Sequence, residues 1–296
     1  MPVPATALPR PDAASERAAR MNNGLEWLMV VVVLALGFLL ASFAVRNSDF
    51  WMHLATGRLI ADGNYEFGKD PFSFATEGRT WVNHAWLYDV VIYKLYQFKP
   101  DGSLIVYLKA SLVVVLAALL LWMGRPSADE RIVPGTKLNP GAWVTAIAAG
   151  MALIAMAPRM LLQPMLLSFL FFAVTLLVLM RSRNWTGKAR PLILVPLFVL
   201  WVNVDGWFLI GPALVAIFLI GEAVQAFLPG ESKLPSGRLK LLALTLLLGL
   251  AACLVNPHHY QAFTTLPVEL NSNVEAGMRN DPGWRPQFAS TLDIVY

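Results

Sequence analysis

The polar residues able to do chemistry are few, and two of the four histidines lie between residues 47 and 95, in the longest stretch that is not apolar. Asp49 and His53 stand four residues apart in the segment DFWMHLATGRLI, whose apolar spacing predicts a helix, so their side chains share one helix face. Further along, His84 and Trp86 occur close together in the segment WVNHAWLYDVV. A carboxylate and two imidazoles are groups that accept and donate protons near neutral pH. The stretch is therefore the first candidate for a functional site.

Two helices are predicted within this stretch, over residues 49–62 and 84–97, and Asn83 is a suitable N-cap for the second. Each has an apolar face, as helices lying at a membrane surface do. The aromatic residues allow a second interpretation, in which they form a belt of rings at headgroup depth and the polar residues are simply solvated. No metal motif of recognised spacing occurs, so the sequence predicts no cofactor, with a divalent cation as the alternative.

The composition is that of a membrane protein. Of the 296 residues, 57% are hydrophobic and 14% are charged, whereas a soluble domain carries about 25% charged residues. The mean hydropathy is +0.57. Basic residues do not alternate with aromatic ones in a stripe, so nucleic acid is not a predicted partner. The one cysteine, Cys253, lies in an apolar run and cannot form an intrachain disulfide.

Apolar runs long enough to approach the thickness of a bilayer recur along the chain. They predict an all-α polytopic membrane protein with about seven transmembrane helices, over residues 26–45, 103–123, 142–157, 160–180, 191–204, 207–227 and 239–255. Residues 46–102 form a loop that contains the two interfacial helices. Two very short connections carry a charged residue each, Arg159 and Asp205, at the membrane surface.

The distribution of basic residues predicts the orientation. Loops 124–141, 181–190 and 228–240 carry lysine and arginine, which places them and the N-terminus in the cytoplasm. The domains are then a disordered cytoplasmic tail (1–22), a transmembrane bundle (23–256) and an outer C-terminal tail (257–296). All four histidines, together with Asp49, Arg159 and Asp205, fall on the outer face.

Six segments occur in the order found in one family of membrane proteins. They are DFWMHLATGRLI, DPFSF, the pattern W-x-x-H-x-W-L, QPMLLS from Gln163, LWVNVDG around Asn203, and Asn256-Pro257. Together they resemble a family of bacterial multi-pass membrane proteins related to the C-type (GT-C) glycosyltransferases. The resemblance covers about residues 46 to 260 and implies a location in the bacterial inner membrane.

The resemblance implies transfer of a sugar from a polyprenyl-phosphate donor at the outer face of the membrane. Asp49 matches the position of the catalytic base. Arg159 or His84 would face the phosphate, and Asn203 and Asn256 would hold sugar hydroxyls. The remaining matched positions are implied to bind substrate as well: His53, Trp86, Gln163, Asp205 and His258.

The chain departs from the family pattern at several polar positions. Ala85 replaces a glutamate, Gln163 replaces an arginine, and Asp205 replaces a histidine, while His258-His259 follows Asn256-Pro257 where a tyrosine and a glycine are usual. These changes favour an alternative function, a non-catalytic accessory subunit of a larger membrane complex with protein partners. A transporter is a third possibility, although the sequence shows no inverted repeat.

Single residues also have structural interpretations. Arg159 suits a helix end whose arginine extends to the interface. Asn203 suits a hydrogen bond between helices as well as it suits a sugar ligand. The turn at Asn256-Pro257 is sufficient to explain why His258 follows it. These alternatives can be separated only by the contacts that each side chain makes.

Overall fold

The computed structural model describes residues 13–44, 49–74, 80–124, 142–181, 190–227 and 236–264. Within these ranges the chain forms α-helices and short 3-10 turns, and the only extended pairing is one antiparallel bridge between Gly68 and Trp81. The predicted all-α class is therefore confirmed. The α-helices are α1 (Ala13–Ala41), α2 (Asp49–Ala61), α3 (Trp86–Phe98), α4 (Ser103–Met123), α5 (Ala142–Met156), α6 (Met165–Arg181), α7 (Leu194–Val202), α8 (Ile210–Phe227) and α9 (Ser236–Ala252).

Several predicted features lie wholly or partly outside the described residues. These include residues 1–12, most of the three basic loops on which the predicted orientation depends, and the C-terminal tail from residue 265. Helix α1 begins at Ala13, inside the segment for which the sequence predicts disorder.

Three helical segments are long and apolar enough to cross a membrane, Gly24–Ala41, Ser103–Met123 and Gly206–Ala226. Shorter apolar helical segments cover Trp143–Arg159, Met165–Arg181 and Pro191–Val202. Three of the seven predicted spans are therefore long and apolar enough, as single helical segments, to cross a membrane. The full count of seven stays a prediction.

Two helices start later than predicted, and a proline explains the first of these differences. The fourth predicted span starts at Met160, but α6 starts at Met165, directly after Pro164. In a helix that started at Met160, the N–H of residue 164 would donate to the carbonyl oxygen of Met160. Pro164 has no N–H, so this hydrogen bond cannot form. The fifth predicted span starts at Pro191, but a 3-10 turn occupies Arg190–Ile193 and α7 begins only at Leu194.

The chain divides into two compact units, Met1–Leu54 with Ile92–Arg190 and Ala55–Val91 with Pro191–Tyr296. In the first unit, α1 packs against α4 and α5, and α4 packs against α6. Small residues bring α1 and α4 together, because a Cβ atom on Gly37 would lie 3.5 Å from the Cβ of Ala117. The core of this unit is aliphatic and includes Val33, Val113 and Leu153.

In the second unit, α9 packs against both α7 and α8. Phe198 of α7 is fully buried at this junction. The ring of Phe198 fits against two glycines. A Cβ atom added to Gly211 would lie 2.5 Å from this ring, and one added to Gly249 would lie 2.7 Å from it. Glycine is therefore required at both positions for α8 and α9 to approach this ring.

Helix ends in the first unit are closed by side chains from other segments. Lys109 of α4 is fully buried, and its Nζ donates to the carbonyl oxygen of Phe43 at 3.0 Å, just beyond the end of α1. Thr145 Oγ1 donates to the carbonyl oxygen of Gly124 at the end of α4. The last carbonyls of a helix have no partner within it, and in a membrane no water replaces one. These bonds therefore suit a bundle surrounded by lipid.

Candidate functional site

Asp49 is the first residue of α2, and its side chain is half-buried. The Nε2 of Gln163 donates a hydrogen bond to Asp49 Oδ2, joining two residues 114 positions apart in the sequence. The positive end of the helix dipole favours a carboxylate at this position. The structure thus brings together two of the residues that the family resemblance implies.

Gln163 reaches Asp49 from the irregular segment between Arg159 and α6. Its backbone N–H donates to the carbonyl oxygen of Leu161 at 3.0 Å, and Pro164 then leads into the helix. The family pattern has arginine where this chain has Gln163. The hydrogen-bond donor to the carboxylate is therefore a neutral amide, which carries no positive charge.

His53 and Arg159 belong to the same unit as Asp49. His53 lies one helical turn after Asp49 on α2, as the spacing predicts, and is half-buried. Arg159 ends the 3-10 turn Ala157–Arg159 that follows α5 and is also half-buried. We call Asp49, His53, Arg159 and Gln163, which all belong to this unit, the α2 cluster, and the hydrogen bond between Asp49 and Gln163 joins two of them.

The other predicted site residues belong to the second unit, and Asn203 is central among them. Its Nδ2 donates to the carbonyl oxygens of Val199 and Val255, each at 2.7 Å, and its Oδ1 accepts from Trp86 Nε1 at 2.8 Å. Its backbone oxygen also accepts from the N–H of Leu87. Both amide hydrogens are therefore used, and Asn203 joins the ends of α7 and α9 to the start of α3.

Asn256 and Asp205 also hold turns in place. Asn256 Oδ1 accepts from the N–H of His258 at 2.8 Å, and its Nδ2 donates to the carbonyl oxygens of Cys253 and His259. Asp205 is buried and its carboxylate accepts from the N–H of Gly206 at the start of a 3-10 turn. These are the local bonds from side chain to backbone that asparagine and aspartate commonly make at helix ends and turns.

His84 and His258 lie in a hydrogen-bonded cluster of the second unit. His84 Nε2 is 3.0 Å from the carbonyl oxygen of Ala262, and His258 Nε2 accepts from the backbone N–H of Asn83 at 3.2 Å. Burial lowers the pKa of His84 below its ordinary value of 6.5. Burial lowers the pKa of His258 too, and a positive charge on a protonated His84 would lower it further. Both rings are therefore neutral at physiological pH.

The sequence predicts only a capping role for Asn83, and no motif marks Asp89. Asn83 Oδ1 does accept from the N–H of Ala85, and its Nδ2 also donates to Asp89 Oδ2 at 2.8 Å. Asp89 is 1% exposed although it lies in a helix predicted to be on the surface. An acid within an amphipathic helix normally marks the solvated face, so only its burial reveals this role.

A groove of about 510 Å³ lies in the second unit, and its wall is almost entirely apolar. Its few polar atoms belong to residues already engaged in the bonds described above. The lining residues are Trp86, Leu87, Pro196, Val199, Leu200, Asn203, Val255, Asn256, Pro257 and His259.

Within the part of the chain that the structure describes, no group of three or more histidine, cysteine, aspartate or glutamate side chains is placed to hold a metal ion. No protein-family model matches the chain, and no curated protein or solved structure matches it either. The resemblance to C-type glycosyltransferases therefore rests on the sequence motifs alone.

The contacts of Asn203 lead to a prediction about stability. Asn203→Asp keeps the size of the side chain but turns an oxygen toward at least one of the two carbonyls that Nδ2 now serves. We expect the free energy of unfolding to fall by about 3 kcal/mol or more, because buried groups lose their partners. Chemical unfolding in detergent micelles measures this, with Asn64→Asp on the exposed turn after α2 as the control. Unfolding of Asn203→Asp at the wild-type midpoint would contradict the structural role.

Proposed function

We propose that this protein is a membrane glycosyltransferase of the GT-C type, which uses a polyprenyl-phosphate-linked sugar at the outer face of the bacterial inner membrane. The observation that carries the proposal is the contact between Asp49 and Gln163. Two motifs far apart in the chain, each matched to the family pattern, meet at one carboxylate. The carboxylate lies at a helix N-terminus, in the first polar segment after a helix able to cross the membrane.

The chemistry assigned to Asp49 is general base catalysis. Its carboxylate takes the proton from an acceptor hydroxyl, whose oxygen then attacks the anomeric carbon of the sugar. The bond between that carbon and the phosphate oxygen breaks, and polyprenyl phosphate leaves with the electron pair. Gln163 holds the carboxylate in one orientation, which general base catalysis requires because proton transfer needs hydrogen-bonding distance.

Donor binding is assigned to the rest of the α2 cluster. A phosphate at the membrane surface needs a cation, and the guanidinium of Arg159 offers two donors in a geometry that fits phosphate oxygens. His53, one turn from Asp49, supplies a second polar group on the same helix face. The N-terminus is assigned to the cytoplasm and the C-terminus to the periplasm on the basis of the basic loops.

Native mass spectrometry of the protein extracted in mild detergent tests whether the donor binds. We expect a bound mass that matches a polyprenyl phosphate or its glycoside, since the tail of such a lipid is strongly held by apolar surface. Arg159→Met should reduce the bound fraction about tenfold or more, because a charged hydrogen bond to phosphate is lost. Arg58→Met, which removes an exposed arginine of α2, is the control. A bound lipid without phosphate, or equal binding by both variants, would count against the proposal.

A second function is favoured by the contacts in the second unit. Asn203, Asn256 and Asp205 match motif positions, yet each holds the fold through hydrogen bonds within the chain. A protein that kept this scaffold and lost its chemistry would act as an accessory subunit in a membrane complex. That alternative predicts a protein partner that co-purifies stoichiometrically, remains bound to Asp49→Asn, and is present where no polyprenyl phosphate is found.

A further inference from the structure

Two histidines join the turn that follows α9 to the loop that precedes α3, although they are 174 positions apart in the sequence. His84 Nε2 lies 3.0 Å from the carbonyl oxygen of Ala262, and the backbone N–H of Asn83 donates to His258 Nε2 at 3.2 Å. We propose that these four residues, the histidine latch, hold residues 258–264 against the loop before α3 at neutral pH, and that the bond at His258 opens when His258 takes up a proton while the bond at Ala262 remains. The proposal is independent of the catalytic role assigned to Asp49.

The two hydrogen bonds respond differently to a proton. A carbonyl oxygen only accepts, so His84 must carry a hydrogen on Nε2, and it keeps that bond when its ring is protonated. The N–H of Asn83 only donates, so His258 must offer a lone pair on Nε2 and carry its hydrogen on Nδ1. Protonation of His258 removes that lone pair and sets two donors against each other. The hydrogen bond between Asn83 and His258 is therefore the one that protonation breaks, and the hydrogen bond between His84 and Ala262 persists.

The surroundings of the pair keep both rings neutral. His258 is 5% exposed, and its ring lies 5.7 Å from that of Phe67, while the ring of His84 lies 5.9 Å from that of Phe208. Protonation of both rings would place two positive charges close together in this apolar setting, which is costly. The other titratable groups of the cluster are Asp89, bound to the Asn83 side chain, Tyr65 and Asp70 from the loop after α2, and His259.

The direction of the pH effect follows from burial. The pKa of His258 is lower in the folded protein than its ordinary value of 6.5, with burial as the main cause and the positive charge of a protonated His84 as the next. Between the folded pKa and 6.5, the unfolded chain binds more protons than the folded one. The stability that the latch contributes is thus complete above 6.5 and is lost as the pH falls toward the folded pKa.

Release of the latch would change the apolar groove. Pro257 and His259, which flank His258, line one part of the groove, and Trp86, which follows His84, lines another. The latch therefore connects segments that both contribute to the groove wall. We infer that acidification widens this groove, because the segment beginning at His258 loses a bond that ties it to the loop before α3.

Histidine-selective NMR tests the protonation states directly, since the chain contains only four histidines. The protein is labelled at histidine, placed in detergent micelles, and assigned with single variants such as His258→Gln. We expect His258 to show the Nδ1–H tautomer at about pH 7.5 and to titrate below 6.5. An Nε2–H tautomer, or titration at or above 6.5, would overturn the proposal.

Hydrogen exchange tests the release, after correction for the intrinsic effect of pH on exchange rates. Between about pH 7.5 and pH 5.5 we expect amide protection over residues 256–261 to fall about tenfold, the usual effect of losing one hydrogen bond. His258→Gln can still accept from Asn83 but does not titrate, so its protection should not change with pH. His259→Asn removes a neighbouring histidine and should respond as the wild type does. Equal pH responses of wild type and His258→Gln would refute the latch.

Discussion

Asp49→Asn is expected to lower sugar transfer by about 10²- to 10⁴-fold, which is the usual contribution of a general base. Asparagine has nearly the same shape as aspartate and can still accept from Gln163 through its oxygen, so the fold should be retained. The assay follows single-turnover transfer from polyprenyl-phosphate hexose and pentose donors in lipid nanodiscs. Circular dichroism and chemical unfolding of the same preparations establish that the variant is folded.

Gln163 and Asp62 supply the matched comparisons. Gln163→Leu removes the donor that orients Asp49, so transfer should fall by a smaller factor, about tenfold, since a hydrogen bond to a charged group contributes about 1.5–3 kcal/mol. Asp62→Asn changes an exposed acid at the end of the same helix, which pairs with Arg58 at 3.6 Å. It should transfer sugar at the wild-type rate. If Asp49→Asn did so too, Asp49 would not be the base.

Helices were predicted well from the sequence where apolar runs have clear ends. The run over Ser103–Met123 was predicted with the bounds that α4 has, because Gly102 and Gly124 flank it. The start of α2 at Asp49 was also predicted, from apolar spacing and an acid at the first position. Hydropathy could not show which apolar runs are interrupted, so the effect of Pro164 on the start of α6 was missed.

The contacts of the site were harder to predict, because they join residues that are distant in the sequence. The motifs indicated that Asp49 and Gln163 belong together, but the bond between them depends on the irregular segment before α6. One lysine in a long apolar run barely changes mean hydropathy, so the role of Lys109 at the end of α1 was not predicted. An asparagine at a helix end indicates a hydrogen bond, yet the residues around Asn203 in the sequence do not identify Val255 as its partner.

The same limit applies to Glu222 and Arg238, which the sequence analysis did not single out. Glu222 Oε1 lies 2.9 Å from a guanidinium nitrogen of Arg238, and the two side chains are 9% and 14% exposed. They join α8 to the first turn of α9. Removing one partner of a buried ion pair leaves the other charge uncompensated, which costs about 3–5 kcal/mol.

We therefore expect Glu222→Gln and Arg238→Met each to lower the free energy of unfolding by about 3–5 kcal/mol. The double variant Glu222→Met/Arg238→Met should recover most of this loss, because it removes both charges and leaves apolar side chains of similar length. Chemical unfolding in micelles gives the four free energies and hence the coupling between the two residues. Asp62→Asn, which breaks the exposed pair with Arg58, should change stability by less than about 0.5 kcal/mol.

The double variant separates two explanations of the pair. If the charges matter only because each neutralises the other, the apolar pair is as stable as the wild type and α8 and α9 stay together. If the double variant loses as much as the two single variants combined, the residues act independently, and the ion pair does not hold α8 to α9. If removing one charge lowers stability but replacing both residues by apolar ones does not, the ion pair specifies which faces of α8 and α9 meet. In an apolar bundle, few other contacts distinguish one helix face from another.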